Sequence, residues 1–203
     1  MGSSAMLLNV LQVGEPVLRL QAKAVPIEQI VTPAIQQLVE HMRETMRAAP
    51  GVGLAAPQIG LPLQLAVIED REELLKDVDP ELLRETERRP VEFHVLINPT
   101  ITLGDEKVEF FEGCLSAAGF GALVPRARTV TVDYWNERAE RVHLEATGWY
   151  ARILQHEIDH LNGHLYLDRM RSRSFMSVEN YGKYWKAKGV ARIRRELGLD
   201  GGE

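Results

Sequence analysis

A chain of 203 residues, 45% apolar and 26% charged, has room for one sizeable core and is too short to expect two independent ones. No run approaches the roughly 20 uninterrupted apolar residues of a membrane span, and a single cysteine excludes an intrachain disulfide. The net charge of −5 argues against a general nucleic-acid binder.

One domain over residues 1–203 is therefore expected, with residues 1–5 as a cloning remnant before a native start at Met6. The N-terminus has neither the basic start and apolar run of a signal peptide nor an Arg/Ser-rich, acid-poor leader. The expected setting is cytoplasmic, or a mitochondrion or plastid if a transit peptide has been removed. Thr32-Pro33 reads as an N-cap and first helical residue, followed by Ile35, Leu38, Val39, Met42 and Met46 at helical spacing; Pro50-Gly51 ends the run. Gly51 to Gly60 is a glycine-studded loop, and Leu63–Ile68 reads as a strand. Residues 69–90 are dense in charge, with a short solvated helix after Asp79-Pro80. Strands are expected at Val91–Ile97, Ile101–Leu103, Val108–Phe111, Thr129–Tyr134 and Arg141–Glu145, separated by turn signals such as Asn98-Pro99. A helix is expected from Gly148 to Asn162, with Thr147 as cap and Gly163 as stop, and another over Val178 to Leu197, weakened at Gly182 and Gly189. The order points to an α+β fold, with short antiparallel sheets packed around a buried late helix.

That late helix carries His156-Glu157-Ile158-Asp159-His160, the HExxH pattern. Residues four apart stack on one helix face, so both imidazoles reach one metal ion, and Glu157 falls beside it. A divalent ion makes water acidic enough for an adjacent carboxylate to take its proton. The bland alternative is two helical histidines with an incidental glutamate. Against it, Leu154, Ile158 and Leu161 form an apolar stripe beside Ile153, and imidazoles buried without partners are costly. A catalytic site needs a third ligand. The residues alone leave several open: His164 and Glu179 downstream, and the lone cysteine upstream in Glu112-Gly113-Cys114-Leu115-Ser116.

Three segments together resemble the peptide deformylase family, whose members remove the formyl group from the starting methionine of new proteins. They are Gly51-Val52-Gly53-Leu54-Ala55-Ala56-Pro57-Gln58, Glu112-Gly113-Cys114-Leu115-Ser116 and Gln155-His156-Glu157-Ile158-Asp159-His160, matching GxGxAAxQ, EGCxS and QHExxH in order. The resemblance covers roughly residues 8 to 170. Phe111 and Gly119-Phe120 around the second motif, with Gly148-Trp149 before the third, look like the branch found in mitochondria, plants and some bacteria.

The resemblance implies Cys114, His156 and His160 as metal ligands and Glu157 as acid/base, with Gln58 and the backbone N–H of Leu115 stabilising the oxyanion. It implies a pocket for the methionine drawing on Val52, Leu115, Ile153 and His156, and an ion pair between Glu112 and Arg126 behind the cysteine loop; Gly51 and Gly53 allow a close backbone approach, which suits a loop that binds the extended peptide as an added strand or, more simply, an ordinary turn. Asp159 is expected either to orient an imidazole or to face solvent. The cofactor implied is one divalent ion per chain, Fe²⁺ physiologically; one thiolate and two imidazoles also suit Zn²⁺, Ni²⁺ or Co²⁺. The expected partners are N-formyl-Met nascent peptides, with no membrane. The pattern departs at Ala117-Ala118-Gly119-Phe120-Gly121, where many bacterial members have a proline and an arginine; Gly121 stands in the arginine's place.

Residues 169–203 form a basic C-terminal tail, with nine Lys/Arg between Arg169 and Arg195 against Glu179 alone. Interleaved with Phe175, Tyr181, Tyr184 and Trp185, these cations suit ribosomal RNA or, more simply, a solvated face whose aromatics pack on the core. Two other readings of the whole chain stand beside the deformylase. An HExxH metalloprotease would take its third ligand downstream. A binding protein with a structural metal would need a fourth protein ligand.

Overall fold

A computed structural model describes residues 6–49 and 51–200. The expected remnant at residues 1–5 and the expected helix stop at Pro50 lie outside the described residues.

Among the described residues, eight strands form two antiparallel sheets. The larger has the order β1-β2-β3-β6-β7, from Gly53–Ala55, Leu65–Asp70, Val91–Leu103, Thr129–Trp135 and Arg141–Thr147. The smaller has the order β4-β5-β8, from Lys107–Gly113, Phe120–Ala127 and Met176–Ser177. Every residue of β2 is buried, because both faces of the larger sheet are covered. Leu65 and Val67 point to one side, where Val95 and Ile97 meet Ile35, Val39, Met42 and Met46 of the first long helix, Pro33–Ala48. Ile68 and Leu96 point to the other side, where Val130, Val132 and Tyr134 meet Ala151, Ile153, Leu154 and Ile158 of the late helix, Gly148–Leu161. The period-2 alternation of the strands thus serves two cores.

The late helix is buried around most of its circumference, since one flank meets the larger sheet and another the smaller. It stops at Gly163, in the left-handed region at φ +74°, where a Cβ would lie 2.7 Å from the Arg19 carbonyl oxygen. Thr32 and Thr147 occupy the two N-cap positions without capping by side chain. The Thr32 hydroxyl donates to the Gln29 carbonyl at 2.7 Å, and that of Thr147 to Glu87 at 3.0 Å.

Several expectations are corrected. The strands expected at Val91–Ile97 and Ile101–Leu103 are one bent strand, because Asn98-Pro99 makes a bulge rather than a turn. Asn98, at φ +51°, satisfies its side chain on the Val25 backbone through two 2.8 Å bonds. β1 lies within the expected glycine loop, and β5 was not expected. Pro125 disguises β5, but it lies beyond the two-residue pairing with β8, where a missing N–H costs the sheet little. The expected helix over Val178 to Leu197 is a series of helical segments, Val178–Asn180, Tyr181–Trp185, Lys186–Lys188 and Val190–Glu196, with a change to a wider turn across Gly182 and a break at Gly189, near the two expected weak points. Gly189 at φ +68° interrupts it.

Candidate metal centre and substrate cleft

The cleft opens between β1, at the edge of the larger sheet, and the end of β4 in the smaller one, with the late helix behind. Its cavity of about 320 Å³ is lined by Val52, Gly53, Gln58, Cys114, Leu115, Ile153, His156 and Glu157, all of them expected from sequence. His160, 1% exposed, lies behind them.

The ligand atoms of Cys114, His156 and His160 fall within 4.8 Å of one another. Cys114 Sγ is 3.3 Å from His160 Nε2, which is 3.2 Å from His156 Nε2. Tetrahedral bonds of about 2.0–2.1 Å to nitrogen and 2.3 Å to sulfur would put such donors about 3.3–3.6 Å apart. A thiol and two imidazole nitrogens converging without a carboxylate or carbonyl among them suit a borderline-soft divalent ion, so the residues present fit a metal. The other candidates for third ligand, His164 and Glu179, are exposed, and His164 bonds the Asn162 carbonyl.

A buried ionic network fixes the histidine ring. His156 Nδ1 donates to Glu112 at 2.7 Å, which leaves Nε2 to face the cluster. Glu112 also receives Arg126 at 2.6 Å and Arg152 at 2.8 Å. Although burial pushes its carboxyl up, Arg126 and His156 more than offset this and hold Glu112 well below the usual carboxylate range. The pair expected between Glu112 and Arg126 is thus part of a buried hub in which Glu112 joins two guanidinium groups and the His156 ring. Asp159 neither orients an imidazole nor faces solvent: it joins Arg126 to the guanidinium fork of Arg169 at 2.6 Å.

Charge separates the two imidazoles. Burial pushes His160 well below its ordinary value. It also pulls on His156, but Cys114 and Glu112 outweigh it and hold that ring well above. Glu157 is 3% exposed, and burial pushes its carboxyl up to about 7. Its Oε2 has no protein partner among the described residues. A group at that value both takes and gives a proton near neutrality.

Gly53 makes room for Glu157, because a Cβ there would lie 2.2 Å from Glu157 Oε1. Gln58 turns its amide toward the cluster: Oε1 accepts from the Ala55 N–H at 2.8 Å, and Nε2 donates to Ser116 Oγ at 3.1 Å, 3.5 Å from Cys114 Sγ. Leu115 begins a 3-10 turn, Leu115–Ala117, where the first backbone N–H has no partner within the turn.

Sequence reasoning missed other parts of the lining: Phe111, Gly119, Phe120, Trp149, Arg152 and Val178. Arg152 had a signal, since it shares the i, i+4, i+8 stripe with His156 and His160. Val178 had none, because β8 returns the tail to the cleft through long-range pairing. At Gly121 a Cβ would lie 2.5 Å from the Phe111 ring, so this ring covers the place where an arginine side chain would start.

Residues 7–175 match the family model for polypeptide deformylase. The chain is 44% identical over 173 residues to the chloroplastic peptide deformylase 1A of Solanum lycopersicum, covering 85% of this chain and 62% of that protein. It is 40% identical over 178 residues to the mitochondrial peptide deformylase of Homo sapiens, covering 87% and 71%. The chain therefore spans less than two thirds of the tomato protein's length. A crystal structure of class I type b peptide deformylase from Acinetobacter baumannii, bound to Met-Ala-Ser, superposes with a TM-score of 0.73 at 32% identity, covering 82% of this chain and 99% of that one.

Proposed function

This chain belongs to the polypeptide deformylase family, and on that premise we propose that it hydrolyses the formyl amide at the N-terminal methionine of new polypeptides, releasing formate. The observation that carries the reading is the convergence of Cys114, His156 and His160 beside the buried Glu157, on the wall of a cavity large enough for one amino-acid side chain. Those three residues would hold one divalent ion, with Fe²⁺ the physiological choice. When bound, it supplies the Lewis acidity that makes water a nucleophile near neutral pH.

The protein's own groups do the rest. Glu157 takes the proton of the attacking water and returns it to the departing amine nitrogen. Gln58 Nε2 and the Leu115 N–H donate to the formyl oxygen as it gains charge, each contributing roughly 3–4 kcal/mol to the lowering of the barrier. The free edge of β1 accepts the peptide as an added strand, with Gly53 allowing close approach. Val52, Leu115 and Ile153 take the methionine side chain. Glu112 holds the His156 ring through Nδ1, and so aims Nε2 at the ion.

The metalloprotease reading loses its basis in the exposure of His164 and Glu179. A ribosome contact through the tail is likewise weakened by the ion pairs that the tail's cations already make within this chain. Arg169 is tied to Asp159, Arg171 and Arg194 to Glu109, and Lys188 and Arg192 to Glu196. As for membranes, no helix among the described residues is long and apolar enough to cross one.

Incubation with formyl-Met-Ala-Ser, followed by mass spectrometry, tests the proposal. The expected result is loss of the formyl group with every backbone amide intact; cleavage between residues would establish a protease instead.

A further inference from the structure

Gln12 stands 103 positions before Leu115, yet the segment around it is bonded to two of the motifs that build the cleft. The Leu11 N–H donates to the Gln58 carbonyl at 2.8 Å, and the Val13 N–H to the Ser116 carbonyl at 2.8 Å. Between them, the Gln12 side chain grips the turn after Cys114 at both ends. Its Nε2 donates to the Leu115 carbonyl at 2.9 Å, and its Oε1 accepts from the Ala118 N–H at 3.2 Å. Nε2 also donates to the Val10 carbonyl at 3.2 Å, so both donors and the acceptor of this amide are in use.

Gln12 is exposed, so these bonds compete with water and contribute little to global stability. Their effect is on orientation. A peptide group is planar, so a bond to its carbonyl also fixes the direction of its N–H. The Leu115 N–H shares a plane with the Cys114 carbonyl, which accepts from the Ala117 N–H at 3.0 Å. The next plane joins the Leu115 carbonyl, held by Gln12, to the Ser116 N–H, held by Cys114 Sγ at 3.4 Å. With the planes on either side of the Leu115 Cα held, the direction of its N–H is set.

We propose that Gln12 is a positioning residue: by clamping the turn Leu115–Ala117 it aims the Leu115 N–H at the developing oxyanion, while Leu11 holds the backbone of Gln58, the other donor. The inference rests on the deformylase reading for the roles of those two donors. Oxyanion donors act on charge that appears only in the transition state, so their misplacement is felt in kcat rather than in KM.

Steady-state kinetics on formyl-Met-Ala-Ser, metal analysis and titration calorimetry of the product Met-Ala-Ser, on the wild type and Gln12→Ala, test the clamp. Losing an oxyanion donor outright costs about 10²–10³-fold in kcat, so loosening one predicts a fall of about tenfold. KM, metal content and product affinity should stay within about twofold of the wild type. Gln12→Glu keeps the acceptor for Ala118 and loses both donors, and its kcat should fall between the two. Amide hydrogen exchange over residues 115–118, a readout independent of turnover, should quicken in Gln12→Ala while the rest of the chain keeps its rates. Unchanged kcat, a change confined to KM, or a fall in kcat matched by loss of metal overturns the clamp, as does unaltered exchange in the turn. If the wild type releases no formate while exchange in the turn still quickens in the variant, the deformylase reading falls and the clamp on the turn stands.

Discussion

Gly53 and Glu157 come from motifs a hundred residues apart, yet the absence of a side chain at one decides where the other sits. Replacing Gly53 with Ala places a Cβ within 2.2 Å of the present Glu157 Oε1 position, so the carboxylate must move. A displacement of about 1 Å at a reacting group costs on the order of 10²-fold. Gly53→Ala is therefore expected to lower kcat for formyl-Met peptides by about that factor while metal content stays near the wild-type level. Activity within twofold of wild type would show that Glu157 tolerates other positions. At this scale much was legible. Cys114, His156, His160, Glu157 and Gln58 stand in short motifs whose residue types are dictated by chemistry. The bridging of Asp159 between Arg126 and Arg169 was not legible, because nothing in local spacing reports which cation a buried carboxylate will meet.

Elements differ in how far local pattern determines them. The late helix was readable because its apolar residues follow a 3.6-residue period and Gly163 stops it. β5 was hidden by glycine and proline, and the tail's helical segments were legible together with their weak points, but not its course over the molecule, because that is set by contacts made elsewhere. Tyr181 stacks on Phe111, with centroids 3.7 Å apart, and Glu109 of β4 gathers both Arg171 and Arg194. Burial pushes the Glu109 carboxyl up, but Arg194 and Arg171 together leave it below its ordinary value. A depressed folded-state value means that this carboxylate stabilises the docked tail above the unfolded-state pKa of about 4.3, and that the contribution fades as pH falls below it. Limited proteolysis should accordingly cut within residues 178–199 faster, relative to the rest of the chain, at pH 4 than at pH 7, and Glu109→Gln should show the faster cutting already at pH 7. Equal rates for the wild type at both pH values would mean that other contacts hold the tail.

On the scale of the whole molecule, one sheet carries an apolar face to each of two helices, and the site forms where that sheet's edge strand meets the end of the second sheet. The α+β class followed from the order of elements. Which strands share a sheet did not, because pairings such as β3 with β6 span long stretches of chain whose local pattern is silent about partners. The proposed function rests on one division of labour: three residues would hold an ion, and a fourth, not a ligand, would move the proton. Formate release and bound metal, measured on the same preparations of wild type and Glu157→Ala, test that division most directly. The expected result is a fall in turnover of at least about 10²–10⁴-fold with metal content unchanged. Retained turnover, or loss of the metal together with Glu157, would contradict it.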